Sequence, residues 1–161
     1  MTLNLLNRQR TVKFHVQWVR GILEKALETT VADKDAEVTI AFLSDSRIRV
    51  LNKEWRGIDA STDCLSFPMQ DEKPDPFIGH YLGDIAISLQ TAENQADIYF
   101  PNYCKQKALV FEVTVLFVHS LLHLLGYDHN DDKAFHDMSR REVEVLTKLF
   151  PDAPEGLTQR Q

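Results

Sequence analysis

The run VHSLLHLLGYDH (118–129) carries three histidines, His119, His123 and His129, among residues that are otherwise mostly aliphatic or glycine. His119 and His123 are four apart, so on a helix both rings leave one face about a turn from each other. Two imidazole nitrogens placed in this way can serve one tetrahedral Zn²⁺. Gly126 stops the helix and lets the chain reverse, which allows His129 to swing back over the same face as a third ligand. Histidines on an apolar face can also be plain core residues. The full pattern His-x3-His-x2-Gly-x2-His, with glycine where the turn needs it, favours ligands. Three neutral nitrogens leave a fourth coordination position for water, the arrangement of a catalytic zinc site and not of a closed structural one.

The spacing is similar to that of the metzincin proteases, with one departure. Ser120 stands where those proteases carry their general-base glutamate, and a hydroxyl cannot take that role at neutral pH without an activating partner. A second cluster lies upstream in LNKEWRGIDASTDCLSFP (51–68). Arg56 falls at the end of a helix predicted over Asp45–Trp55, and with Arg47, Arg49 and Lys53 it forms a basic stripe. An arginine at a helix end suits bidentate binding of phosphate; Arg47 and Arg49 taken singly read as a solvated face. Asp84 could accept from a ligand histidine or act as a base, or could be purely structural. Asp128, beside His129, could orient an imidazole but reads more simply as a turn former. Glu112, seven residues before His119, reads as a buried hydrogen-bond partner. His15, His80 and His136 have no ligand spacing. Asp131 and Asp132 read as charge at a helix start.

The elements that must position these residues emerge from periodicity. LNLLNR at the start reads as an edge strand or arm. Apolar residues at helical spacing predict an amphipathic helix from Val12 to about Thr30. Glu37–Ser44 is a β-branched strand, and Ser44 can cap the helix after it. DCLSFPMQ reads as a short strand ended by Pro68, with a loop marked by Pro74 and Pro76. Tyr81–Leu89 is a further strand, followed by a short helix to about Tyr99. From Tyr103 to Leu125 the chain is apolar on nearly every side, which predicts a central buried helix. Its apolar run is near membrane-spanning length, but Glu112, His119 and His123 would be costly in a bilayer, so no membrane role is expected. Asn130 or Asp131 then caps a last amphipathic helix to about Phe150. The order suggests an α+β fold: a small mixed four-stranded sheet with about five helices, and the metal motif on the central apolar helix. Residues 1–161 are expected to form a single catalytic domain with a polar tail from about 151.

Composition is that of a soluble globular chain, 43% hydrophobic and 26% charged over 161 residues, with a formal net charge of −6. Binding of nucleic acid would therefore need a local basic feature. Cys64 and Cys104 lie far apart and form no CxxC pair. They read as free thiols in a reducing, cytoplasmic setting.

LNKEWRGIDASTDCLSFP, LGDIAIS (82–88) and VHSLLHLLGYDH, in that order, resemble the YbeY family of bacterial zinc-dependent endoribonucleases of ribosomal RNA maturation. The resemblance runs from about Leu51 to His129. It implies that His119, His123 and His129 bind one Zn²⁺ per chain and that Arg56 acts on the RNA phosphate. Ser120 stands where the family usually has glycine, and Cys64 where an aliphatic residue is common. The implied activity is hydrolysis of single-stranded RNA in 16S rRNA 3′-end maturation, ribosome biogenesis and ribosome quality control. The implied partners are an rRNA precursor, the small ribosomal subunit and an assembly GTPase. Two other readings stand beside it. A metzincin-like peptidase would need a glutamate near the metal from another segment, and a zinc-stabilised assembly factor would bind ribosomal particles without cutting RNA.

Overall fold

The computed structural model describes residues 1–69, 80–152 and 154–158; the loop expected around Pro74 and Pro76 lies outside them. Four strands, β1 (Thr2–Asn7), β2 (Glu37–Leu43), β3 (Cys64–Pro68) and β4 (Tyr81–Ser88), form one sheet in the order β1-β2-β4-β3. β1 and β4 run parallel to β2, whereas β3 is antiparallel to β4, so the sheet is mixed as expected. Five helices accompany it: α1 (Gln17–Thr30), α2 (Asp45–Arg56), α3 (Leu89–Tyr99), α4 (Lys105–Leu124) and α5 (Asp132–Leu149).

The sheet's alternating side chains divide the core in two. Val38, Ile40, Phe42, Ile85 and Ile87 join α1 and α4 in the main core. Leu43, Leu65 and Ala86 point to the other face and pack with Ile48 of α2. That second face is covered by α2 at one end only, and the rest of it forms the floor of a cleft. α4 is buried through most of its length, which accounts for its lack of a polar stripe and places its apolar run inside the protein.

α1 begins at Gln17 and not at Val12. The reason lies in Gln9, whose side-chain Oε1 accepts from the Val12 N–H (2.8 Å) and whose Nε2 donates to the Val12 carbonyl (3.0 Å). The Val12 carbonyl that a helix would use is thus taken, and its N–H is fixed by the same side chain. Val12 and Phe14 are still buried, Phe14 lying 4.8 Å from Phe42 between ring centroids, but they enter the core from an irregular segment. α5 takes Asp131 as its cap, the carboxylate accepting from the Ala134 N–H at 2.8 Å. Within the polar tail, the short turn Glu155–Leu157 buries Leu157.

Candidate metal centre and cleft

α4 ends in a two-bond reversal: Gly126 N–H donates to the His123 carbonyl (3.0 Å) and Tyr127 N–H to the Leu122 carbonyl (3.0 Å). Gly126 sits at φ +92°, a conformation disfavoured for residues with a Cβ. The reversal carries His129 back to the end of the helix. Asp128 orders the loop around His129, accepting from the His129 N–H (2.7 Å) and from the Asn130 amide. The ligand-capable atoms of His119, His123 and His129 all lie within 4.8 Å of one another.

The two helix histidines are held by their far nitrogens. His119 Nδ1 meets Glu142 Oε1 at 2.6 Å, and His123 Nδ1 meets the Tyr127 carbonyl at 3.0 Å. A carbonyl can only accept, and an ionised carboxylate likewise, so these partners assign the proton to Nδ1 in both neutral rings. The two Nε2 atoms are then bare lone pairs, and they face each other at 3.1 Å. Lone pairs at that distance repel unless a cation lies between them. Nitrogens arranged tetrahedrally about zinc stand about 3.3 Å apart, so this donor set fits such a metal. Burial lowers the His123 pKa, with the His119 charge adding to the effect, and this favours the neutral, ligating form.

Glu142, on α5, was not among the residues singled out by sequence. It lies behind His119, on the side opposite Nε2, and does not line the cleft. It therefore holds a ring in place and is not positioned as the general base that a metzincin-like site would need. Ser120 is fully buried, and its carbonyl accepts from Ser66 Oγ on β3 (3.2 Å), a bond that fixes β3 against α4. Ser120 is not among the residues that line the cleft, so its hydroxyl is not presented there.

The cleft, of about 1260 Å³, is lined by all three histidines, by Arg56, and by the exposed face of β2, β3 and β4. Arg56 is exposed at the end of α2 and is the only lysine or arginine among the described residues that line the cleft. Two other members of the expected basic stripe are drawn into ion pairs. Arg49 pairs with Asp59 at 2.8 Å and Lys53 with the same carboxylate at 3.7 Å. Asp84 also lines the cleft, but its carboxylate takes the Tyr81 hydroxyl. Among the described residues neither Asp84 nor Asp128 hydrogen-bonds a ligand ring; Glu142 and the Tyr127 carbonyl do. Asp63, also unremarked by sequence, accepts from the Cys64 N–H (2.7 Å) and from Gln95 of α3 (3.3 Å), so it anchors the start of β3. Cys64 is half-buried on the cleft wall, and its thiol is pushed well above its ordinary pKa by desolvation and by the Asp63 charge. His15, His80 and His136 pair instead with Trp18, Asp33 and Phe135.

The model of the Endoribonuclease YbeY family matches residues 4–150. The chain belongs to the YbeY family. Endoribonuclease YbeY of Alkaliphilus metalliredigens is 39% identical over 149 residues, covering 89% of this chain and 92% of that protein. Endoribonuclease YbeY of Pelotomaculum thermopropionicum is 41% identical over 138 residues, covering 80% and 85%. Among solved structures, TM1509 from Thermotoga maritima superposes with a TM-score of 0.54 at 25% identity, over 95% of each chain. The YbeY match spans all three stretches on which the sequence resemblance rested.

Proposed function

We propose that this YbeY-family chain is a zinc-dependent endoribonuclease that cuts single-stranded RNA, with an rRNA precursor in the cytoplasm as its substrate and the small ribosomal subunit and an assembly GTPase as its setting. One observation carries the proposal: the facing, lone-pair Nε2 atoms of His119 and His123, backed by Glu142 and Tyr127 and joined by His129, open onto a cleft whose only lysine or arginine among the described residues is Arg56. Zinc at such a site supplies Lewis-acid polarisation of an oxygen and depresses the pKa of water in its shell.

The chain's own residues do the remaining work. Arg56 offers a planar fork that grips two phosphate oxygens and stabilises the charge that grows on them in the transition state. Glu142 keeps the His119 proton on Nδ1 and fixes the ring's direction, while the Tyr127 carbonyl does the same for His123. Asp84 adds a carboxylate to the cleft wall, and Asp128 holds the loop that presents His129. Glu142 stands behind a ligand and Ser120 is buried, so among the described residues no glutamate lines the cleft to fill the role that a metzincin-like peptidase requires.

The test is cleavage of an end-labelled unstructured RNA by wild-type protein, His123→Ala and Arg56→Ala. The expected result is cleavage by wild type, none by His123→Ala, and a rate lower by about 10²–10³-fold for Arg56→Ala. Undiminished cleavage by both variants would refute the proposal.

A further inference from the structure

Trp55 immediately precedes Arg56 at the end of α2, lines the same cleft as the three histidines, and is 66% exposed. Tryptophan is among the most buried residue types on average, so a ring this open on a cleft wall calls for an occupant. Phe67 of β3 meets it edge to face with 6.0 Å between centroids. That contact fixes the indole's orientation while leaving most of its surface open. Charge narrows the choice of occupant. Among the described residues the cleft offers one arginine against the carboxylates of Asp63, Asp84 and Asp128, Asp59 holds Arg49 and Lys53, and the whole chain carries −6. A polyanion cannot be held here mainly by neutralising many phosphates.

We infer that Trp55, steadied by Phe67, is a stacking platform for a nucleobase of single-stranded RNA, next to the phosphate gripped by Arg56, and that stacking supplies most of the affinity. Stacking is available to every base because each has a π face, and it needs an unpaired base, which ties the platform to single-stranded substrate. The inference rests on the RNA-cleaving function proposed for this cleft.

Three readouts test it on the zinc-loaded protein. In a Trp18→Phe background Trp55 is the sole tryptophan, and its emission should be quenched when a cleavage-resistant 2′-O-methyl oligoribonucleotide is added. In steady-state cleavage of an unstructured RNA, Trp55→Ala should raise KM by roughly tenfold, with kcat within about twofold, and Trp55→Tyr should restore most of the loss. Raising salt from 50 to 200 mM should weaken wild-type binding by only about threefold, the effect of one phosphate contact on a single strand. Wild-type cleavage with an unchanged KM in Trp55→Ala and no quenching would overturn the inference and leave the nuclease function standing; the exposed ring would then belong to a protein-docking surface. A steep salt dependence would overturn the dominance of stacking. Protein that neither binds nor cuts RNA would overturn both.

Discussion

Removing the carboxylate behind His119 should weaken metal binding without touching a ligand. Glu142 Oε1 lies 2.6 Å from His119 Nδ1, the length of a short, charge-assisted bond. Across the ring, a divalent cation on Nε2 would stand roughly 6 Å from that carboxylate. The attraction is then about 1.4 kcal/mol in water and about 5.5 kcal/mol at an effective dielectric near 20. The two side chains are 34% and 24% exposed, so solvent screens the pair and the lower part of that range governs. Loss of the carboxylate should therefore cost about 1.4–2.7 kcal/mol, a 10–100-fold drop in zinc affinity. Glu142→Ala should show the full drop. Glu142→Gln keeps an acceptor for the Nδ1 proton but loses the charge, and should fall between it and wild type. Competition for zinc against a chromophoric chelator measures the affinities, and thermal melts of the stripped proteins verify that each variant is folded. Affinities within twofold of wild type for both variants would refute the role given to Glu142.

Three further outcomes are expected. Gly83 sits at φ +139°, and an added Cβ would stand 2.2 Å from the Phe67 carbonyl oxygen; Gly83→Ala should lose more than about 2 kcal/mol in urea unfolding as β3 is forced off β4. Cys64 is half-buried with its thiol pKa raised, and Cys104 is exposed, so a thiol-specific chromogenic reagent at pH 8 should titrate one group per native chain quickly and the second more slowly, and both quickly in denaturant. The folded His123 pKa lies below the ordinary 6.5, so the unfolded chain takes up that proton first as pH falls. Metal-free protein should therefore lose stability as pH drops through about 6.5, and His123→Gln should flatten that part of the pH–Tm curve.

What could be read from the sequence was what is local along the chain. The i,i+4 pair and Gly126 lie within one helical turn and its cap, and His129 comes a few residues later, so spacing alone brings all three together. The strand and helix order was legible for the same reason. Glu142 was not, because its meeting with His119 depends on how α5 packs on α4, and nothing near Glu142 distinguishes it from the other acids of an amphipathic helix. The basic stripe misled in a similar way: the acid that pairs with Arg49 and Lys53 is Asp59, which only the turn after α2 brings back to them. The start of α1 was misplaced because a single side chain, Gln9, occupies backbone groups of Val12 that periodicity assigns to the helix. Trp55 marked only the end of a predicted helix, and its place on an open cleft wall depends on how α2 packs beside β3.

The central claim is that His119, His123 and His129 hold one metal ion and that this ion is needed to cut RNA. Titrating zinc into chelator-stripped protein while following cleavage of an unstructured RNA tests both halves at once. The account predicts no activity in stripped protein, a linear rise, and a sharp break at about one zinc per chain, with His123→Ala flat throughout. Full activity in the stripped protein, or recovery in His123→Ala at the same zinc, would contradict it.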